Sequence, residues 1–330
     1  MHPLRTAMTV PMLVVTSMLA TLVPAFALAQ GTAYPSKPIR FVVPFPPGGG
    51  TDILSRALAQ RLSEALGQQV VIDNRPGAGG NIGADIAAKA APDGYTLVMG
   101  QTSNLTINPA LYSKLPYHPL RDFSPVTLVS TIPVALMVPA QSSWRSVADL
   151  VAAAKSKPGQ AAYASSGINT VGHMSGLLLQ RVAGLKMKHV AYEGSAQAFP
   201  DLLGGRIDAF FASIDTASPQ MRKGAIRVLA VTSAQRAPAM PEVPTVAESG
   251  YPGFEANAWT GVLVAARTPK PIIARLNNEI TRVLDLPDVR ARLDAGGPPV
   301  ETGPDAFAAR LKSDGEKWGR NVREAGIRAE

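Results

Sequence analysis

The sequence predicts an α/β fold in two lobes, with mainly parallel central sheets, helices on both faces and a ligand cleft between the lobes. Three observations carry this. Short apolar strands alternate with amphipathic helices along the chain. A strand–polar loop–helix unit occurs at residues 39–66 and again at 161–182, once in each half. Two long apolar runs, 126–138 and 254–266, flank the middle third, as crossing strands do when a chain leaves one lobe, builds a second and returns. The lobes then comprise residues 30–130 with 259–330, and residues 131–258.

Residues 1–29 read as a secretory signal peptide. Arg5 supplies the positive start, 10–23 the apolar core and Ala27-Leu28-Ala29 the small-residue cleavage site, with Gln30 the first mature residue. The apolar run is short and broken for a membrane span, and no later stretch is long and apolar enough for one. The chain has no cysteine, which excludes disulfides, thiolate metal sites, a cysteine nucleophile and a lipidated N-terminal cysteine. These features predict a soluble periplasmic monomer without a lipid anchor. The net charge is +8, but Lys and Arg are scattered without a basic run, which argues against nucleic-acid binding.

The first strand, 39–45, stops at Pro46-Pro47 and runs through Gly48, Gly49 and Gly50 into a helix over 53–66, with Thr51 or Asp52 as N-cap. Without side chains, the backbone N–H groups of the three glycines are free to face an anion at the positive end of the helix. A merely tight turn is the alternative. A strand at 69–73 leads to the glycines of 77–83, whose spacing fails the dinucleotide fingerprint at Ile82, so close packing accounts for them. A helix at 84–90, a strand at 95–100 and the polar loop Gln101-Thr-Ser-Asn104 follow, the loop forming a third wall for a pocket.

Beyond the crossing strand, a helix at 144–155 is capped by Ser142 or Ser143. The second unit then presents Ser165-Ser-Gly-Ile-Asn-Thr170 at the start of a helix over 171–182, placing three hydroxyls and an amide beside free N–H groups. Strands at 188–192, 206–212 and 224–231 and a helix at 196–203 complete the second lobe. Helices at 271–284 and 305–324 close the chain.

Reaction chemistry is missing from the sequence. There is no Gly-x-Ser-x-Gly elbow, no His-Glu-x-x-His, no calcium loop and no phosphate-loop lysine. Beyond residue 29 the histidines are His118, His173 and His189. His173 either orients a loop hydroxyl or touches a ligand carboxylate; His118 and His189 read as structural. Asp52 either caps its helix and orders the loop or contacts ligand, and Asp208 either holds neighbouring amides or ends a strand in solvent. The residues hold an anion without transforming it: no catalytic residue, metal or cofactor is expected.

Pro44-Phe-Pro-Pro-Gly-Gly-Gly-Thr-Asp52, Asp73-Asn-Arg-Pro-Gly-Ala-Gly-Gly-Asn-Ile-Gly83, Ala91-Pro-Asp-Gly-Tyr-Thr-Leu97, Ser165-Ser-Gly with His173, Asp201-Leu-Leu-Gly-Gly-Arg-Ile-Asp208 and Pro244-Thr-Val-Ala-Glu248 together resemble the Bug family. These are the periplasmic solute receptors of tripartite tricarboxylate transporters. The resemblance implies a type II, Venus-flytrap fold and a small carboxylate ligand: a dicarboxylate, an aromatic acid or an amino acid. It also implies integral-membrane transporter subunits as partners. By the same resemblance, Phe45, Gly48, Gly49, Gly50, Thr51 and Asp52 grip one carboxylate, partly through ordered water. Ser165, Ser166, Gly167, Asn169, Thr170 and His173 close from the second lobe, Tyr192 and Asp208 line or brace that side, and Ser103 lies on the first-lobe wall. Three positions depart from the family pattern: Glu193 where Lys or Arg is usual, Gln197 in place of proline, and Thr260 in place of an aromatic residue. A ligand with an uncharged or polar far end fits that change. The expected function is capture of a carboxylate and delivery to the transporter; a sensor of the same fold feeding a membrane kinase is the alternative, and a secreted hydrolase a distant third.

Overall fold

The computed structural model describes residues 34–290, 293 and 303–327. The signal peptide assigned to residues 1–29 lies outside the described residues.

The first half-sheet is built from β1 (Ile39–Val43), β2 (Val70–Asn74) and β3 (Thr96–Gln101), with β1 parallel to both neighbours. Helix α1 (Gly50–Leu66) follows β1, and α2 (Asn81–Ala88) leads from the glycine loop towards β3. After β3 the chain does not stay a loop: a π-helical turn, Ser103–Ile107, runs into the short α3 (Asn108–Leu111). The one-turn α4 (Pro119–Asp122) then opens β4 (Phe123–Pro139).

β4 joins the two halves. Its first part pairs antiparallel with β9 (Asn257–Ala265), which itself pairs with β3. Its last part pairs antiparallel with β7 (Ala209–Ser213) and β8 (Ile226–Val231). Beyond β7 lie β5 (Ala162–Ser165) and β6 (Lys188–Ala191), both parallel pairings. Each wing is therefore parallel, as strand–helix–strand connections require, and the crossing strands make the centre antiparallel. The sheet is mixed.

The second wing carries α5 (Val147–Ser156), α6 (Val171–Ala183), α7 (Ser195–Leu203) and α8 (Ile214–Arg222). The cap of α5 is Ser146 rather than Ser142 or Ser143: its hydroxyl accepts from Asp149 N at 3.1 Å while the Asp149 carboxylate accepts from Ser146 N at 3.0 Å. This reciprocal pair satisfies two orphan donors at once. Helix α8 is absent from the sequence prediction, because Pro219 and the polar stretch around it hide the apolar stripe.

The chain ends with α9 (Lys270–Leu284), α10 (Pro287–Arg290) and α11 (Pro304–Ala325). The apolar face of α9 packs Leu276, Ile280 and Val283 into the core that holds Phe41, Leu58 and Leu97. Helix α11 serves both wings. Phe307 and Leu311 pack with Trp259 and Val42, whereas Trp318 and Val322 pack with Tyr163 and Phe211. Gly261 makes room for this crossing, since a Cβ there would sit 2.3 Å from the Phe307 ring. Asp314 ties the helix down by accepting from Trp259 Nε1 at 2.7 Å and from Arg310 Nε at 3.0 Å.

Candidate ligand site at converging helix N-termini

At the C-terminal end of β1 the chain turns at Gly48, whose φ of +79° favours glycine, and enters α1. The N-cap is Gly49, not Thr51 or Asp52, and the helix begins at Gly50. Asp52 occupies the third helical position, buried, and its carboxylate reaches backwards. Oδ2 accepts from Gly48 N at 2.9 Å and from Arg56 Nε at 2.9 Å, while Oδ1 accepts from Asn74 Nδ2 at 2.9 Å. The Arg56 guanidinium, with the Gly48 and Asn74 donors, holds the Asp52 pKa down to about 2. Asn74 also donates to Phe45 O at 3.2 Å. Asp52 is thus the brace of the glycine loop. One glycine N–H, that of Gly48, is spent on it, and the N–H groups of Gly50 and Thr51, first in the helix, have no intrahelical acceptor. Both residues line a cavity of about 510 Å³.

The loop after β5 reaches the same cavity by neutral means. Ser165 Oγ donates to Gly167 O at 2.8 Å and meets His189 Nε2 at 2.8 Å. Thr170 caps α6, its hydroxyl accepting from His173 N at 3.3 Å and donating to Gly167 O at 2.8 Å. Asn169, in the left-handed region at φ +68°, donates its N–H to His173 Nδ1 at 3.3 Å. The His173 and His189 rings stack with centroids 3.9 Å apart. Burial pushes the His173 pKa down to about 3, with His189 adding to the shift, and burial alone lowers His189 to about 4. Both rings are neutral at neutral pH, a rigid polar packing under the loop. Gly172 lets α6 approach β7, since a Cβ would lie 2.3 Å from Phe211 O.

Of the residues singled out in the sequence, the cavity brings together Gly50, Thr51, Ser103, Ser166 and Thr170, and Thr260 among the departures from the family pattern. Phe45, Gly48, Gly49, Asp52, Ser165, Gly167, Asn169 and His173 are not on its wall; they build the two loops that are. Tyr192 donates its hydroxyl to Asp201 Oδ2 at 2.7 Å, and burial with that carboxylate pushes the phenol pKa up to about 12. Asp208 accepts from Ala162 N at 2.8 Å, holding the start of β5. Glu193 and Gln197 are exposed and off the wall.

The wall also includes residues that sequence reasoning missed. Ser130 on β4 shares a 2.8 Å hydroxyl pair with Thr260 on β9, and Ile132 and Trp259 add apolar surface from the same crossing strands. Ser195 opens α7, and Ser213 and Asp215 open α8. β7 ends at Ser213 and α8 follows directly at Ile214, a third polar step from strand to helix that the concealed helix masked. Gln101 donates through Nε2 to Thr51 Oγ1, linking two walls. Among the described residues no group of His, Asp and Glu could hold a metal ion, and no helix is long and apolar enough to cross a membrane. The described wall offers hydroxyls, backbone N–H donors and one carboxylate, that of Asp215.

Comparison with known proteins gives the family and the fold. The family described as tripartite tricarboxylate transporter family receptor matches residues 54–327. The chain is 37% identical to protein BugT of Bordetella pertussis, over 92% of this chain and 93% of BugT. Among solved structures, R. palustris Rpa4515 with adipate is 35% identical with a TM-score of 0.77, covering 89% of this chain and 99% of that one. MatC from Rhodopseudomonas palustris with bound malate is 34% identical with a TM-score of 0.75, covering 88% and 100%. The fold is accordingly the two-lobed one of periplasmic binding proteins. With a family match across most of its length and relatives of this identity and coverage, the chain belongs to the tripartite tricarboxylate transporter receptor family.

Proposed function

We propose that this protein is a periplasmic receptor that captures a small organic carboxylate between its lobes and delivers it to the membrane subunits of a tripartite transporter. The observation that carries the reading is the convergence of two loop–helix units, one from each wing, on a single cavity of about 510 Å³ whose wall has no Lys, Arg or His among its described residues. Helix N-termini with free N–H groups and hydroxyls solvate an anion without a cationic side chain. Adipate and malate in the related structures are ligands of that class. The moving bodies are residues 30–130 with 259–330, and residues 131–258. Closure about β4 and β9 brings Ser166 and Thr170 onto the carboxylate held at Gly50 and Thr51, and the closed form is what the transporter recognises.

A thermal-shift screen tests this, using protein stripped of carried-over ligand by unfolding and refolding. The panel holds C4–C6 dicarboxylates, citrate, amino acids, nicotinate, benzoates and phthalates. A ligand at 100 times its dissociation constant stabilises by about 2.7 kcal/mol, a clear rise in melting temperature. Silence of a folded protein across the whole panel would overturn the reading.

A further inference from the structure

We propose that Asp215 selects a ligand carrying an ammonium group together with its carboxylate, an amino-carboxylate in preference to a dicarboxylate; this rests on the carboxylate-receptor reading above. The cavity collects the first turns of four helices. α1 contributes Gly50 and Thr51, α6 Thr170 and Val171, α7 Ser195, and α8 Ser213 and Asp215. Every N-terminus favours negative charge, and among the described residues of the wall one side chain is ionisable, the Asp215 carboxylate. It has no hydrogen-bond or ion-pair partner within the described protein.

An aspartate in a first turn is ordinary helix chemistry, because the macrodipole welcomes it. That accounts for the residue type at this position and leaves its setting unexplained. Asp215 is exposed to the cleft with no cationic side chain among the described residues of the same wall, and desolvation by the surrounding protein raises its pKa. A dicarboxylate filling the cavity would bring a second anion towards this group in a partly desolvated space, and like charges there repel strongly. An ammonium would supply the missing counter-charge and donate to the carboxylate oxygens, which only accept. The ligand's own carboxylate remains at the donors of α1 and α6. The wall thus has an anion-binding side without a cation and a cation-binding side with one anion.

Matched ligand pairs separate this claim from the reading on which it rests. In 5-aminopentanoate an ammonium replaces one carboxylate of adipate, and in aspartate an ammonium replaces the hydroxyl of malate. Calorimetric titration of all four into refolded wild-type protein and into Asp215→Asn is expected to show the amino member of at least one pair binding tenfold or more tighter. In the variant that preference should shrink at least tenfold, with the melting temperature of the unliganded protein little changed. If neither amino member binds more tightly than its partner, or if the ratio is the same in both proteins, the carboxylate reading stands and the Asp215 assignment falls. If a refolded protein with a cooperative melt binds none of the four, or any of a wider carboxylate panel, both fall together.

Discussion

The two loops that meet at the cavity present similar helix N-termini on different supports. The glycine loop before α1 is exposed and stapled from below by an ionised group, Asp52, with Arg56 and Asn74 around it. The loop before α6 is braced by hydroxyls and two stacked neutral histidines. In the first, Asp52 shapes the loop from off the cavity wall; in the second, Ser165 and the histidines do so, while Thr170 both braces the loop and faces the cavity. A receptor loop is therefore read in two layers, and a residue fixed by local chemistry, such as Asp52, is informative about the binding surface without being on it.

The largest contrast between the supports is in acid. The folded His173 and His189 titrate near 3 and 4, below the ordinary 6.5, so beneath pH 6.5 the unfolded chain binds protons that the folded chain refuses. Stability is full above pH 6.5, and each ring removes up to about 1.4 kcal/mol per pH unit as the pH falls towards its folded value. Asp52 behaves later: its contribution is present above pH 3.8 and is lost only as the pH falls through about 2. Urea unfolding from pH 7 to pH 4, with amide exchange resolved by segment, should show α6 losing protection before α1. Equal loss in both segments would mean that the histidine pair is not the acid-sensitive support.

Removing the ionic staple comes next. Asp52→Ala deprives Gly48, Asn74 and Arg56 of a charged acceptor at a buried position, and should cost about 3 kcal/mol of stability and abolish binding. Unchanged melting and affinity would refute the bracing role. Ser166→Ala removes a hydroxyl that lines the cavity from the other loop. Ligand affinity should fall by about 2 kcal/mol, roughly thirtyfold, with stability unaltered; calorimetry showing no loss would mean that Ser166 faces no ligand oxygen. The smallest effect is expected at Glu193→Lys, exposed and off the wall, where affinity should stay within about 0.5 kcal/mol. A change of ligand class there would show that charge beyond the wall sets specificity.

Much of the fold was legible because the strands are short, apolar and punctuated. The long β4 and β9 revealed themselves as crossing strands through sheer length, and the antiparallel centre they impose followed only from their pairing. The two loops were legible as well, since Gly48–Gly50 and Ser165–Thr170 each stand between a strand and an apolar-faced helix. What could not be read was which atoms were already engaged. That Gly48 N–H belongs to Asp52, and that Ser165 serves the loop while Ser166 faces the cavity, depends on contacts across space. Helix α8 was hidden by Pro219 and its polar neighbours, and Asp215 went with it. The N-cap at Gly49 was obscured by Asp52, whose carboxylate reaches back from the third helical position to Gly48 N.

The central claim is that backbone N–H groups at the start of α1 hold the ligand carboxylate. Gly50→Pro addresses it most directly. Position 50 is the first residue of the helix, where proline is welcome, and Gly49 before it is extended at φ −76° and ψ 164°, as a residue preceding proline should be. The substitution thus deletes one N–H donor while the helix start is retained. Titrating the tightest carboxylate of the screen into this variant should show at least a tenfold loss of affinity at an unchanged melting temperature. Wild-type affinity in the variant would contradict the account, because the carboxylate would then be held elsewhere.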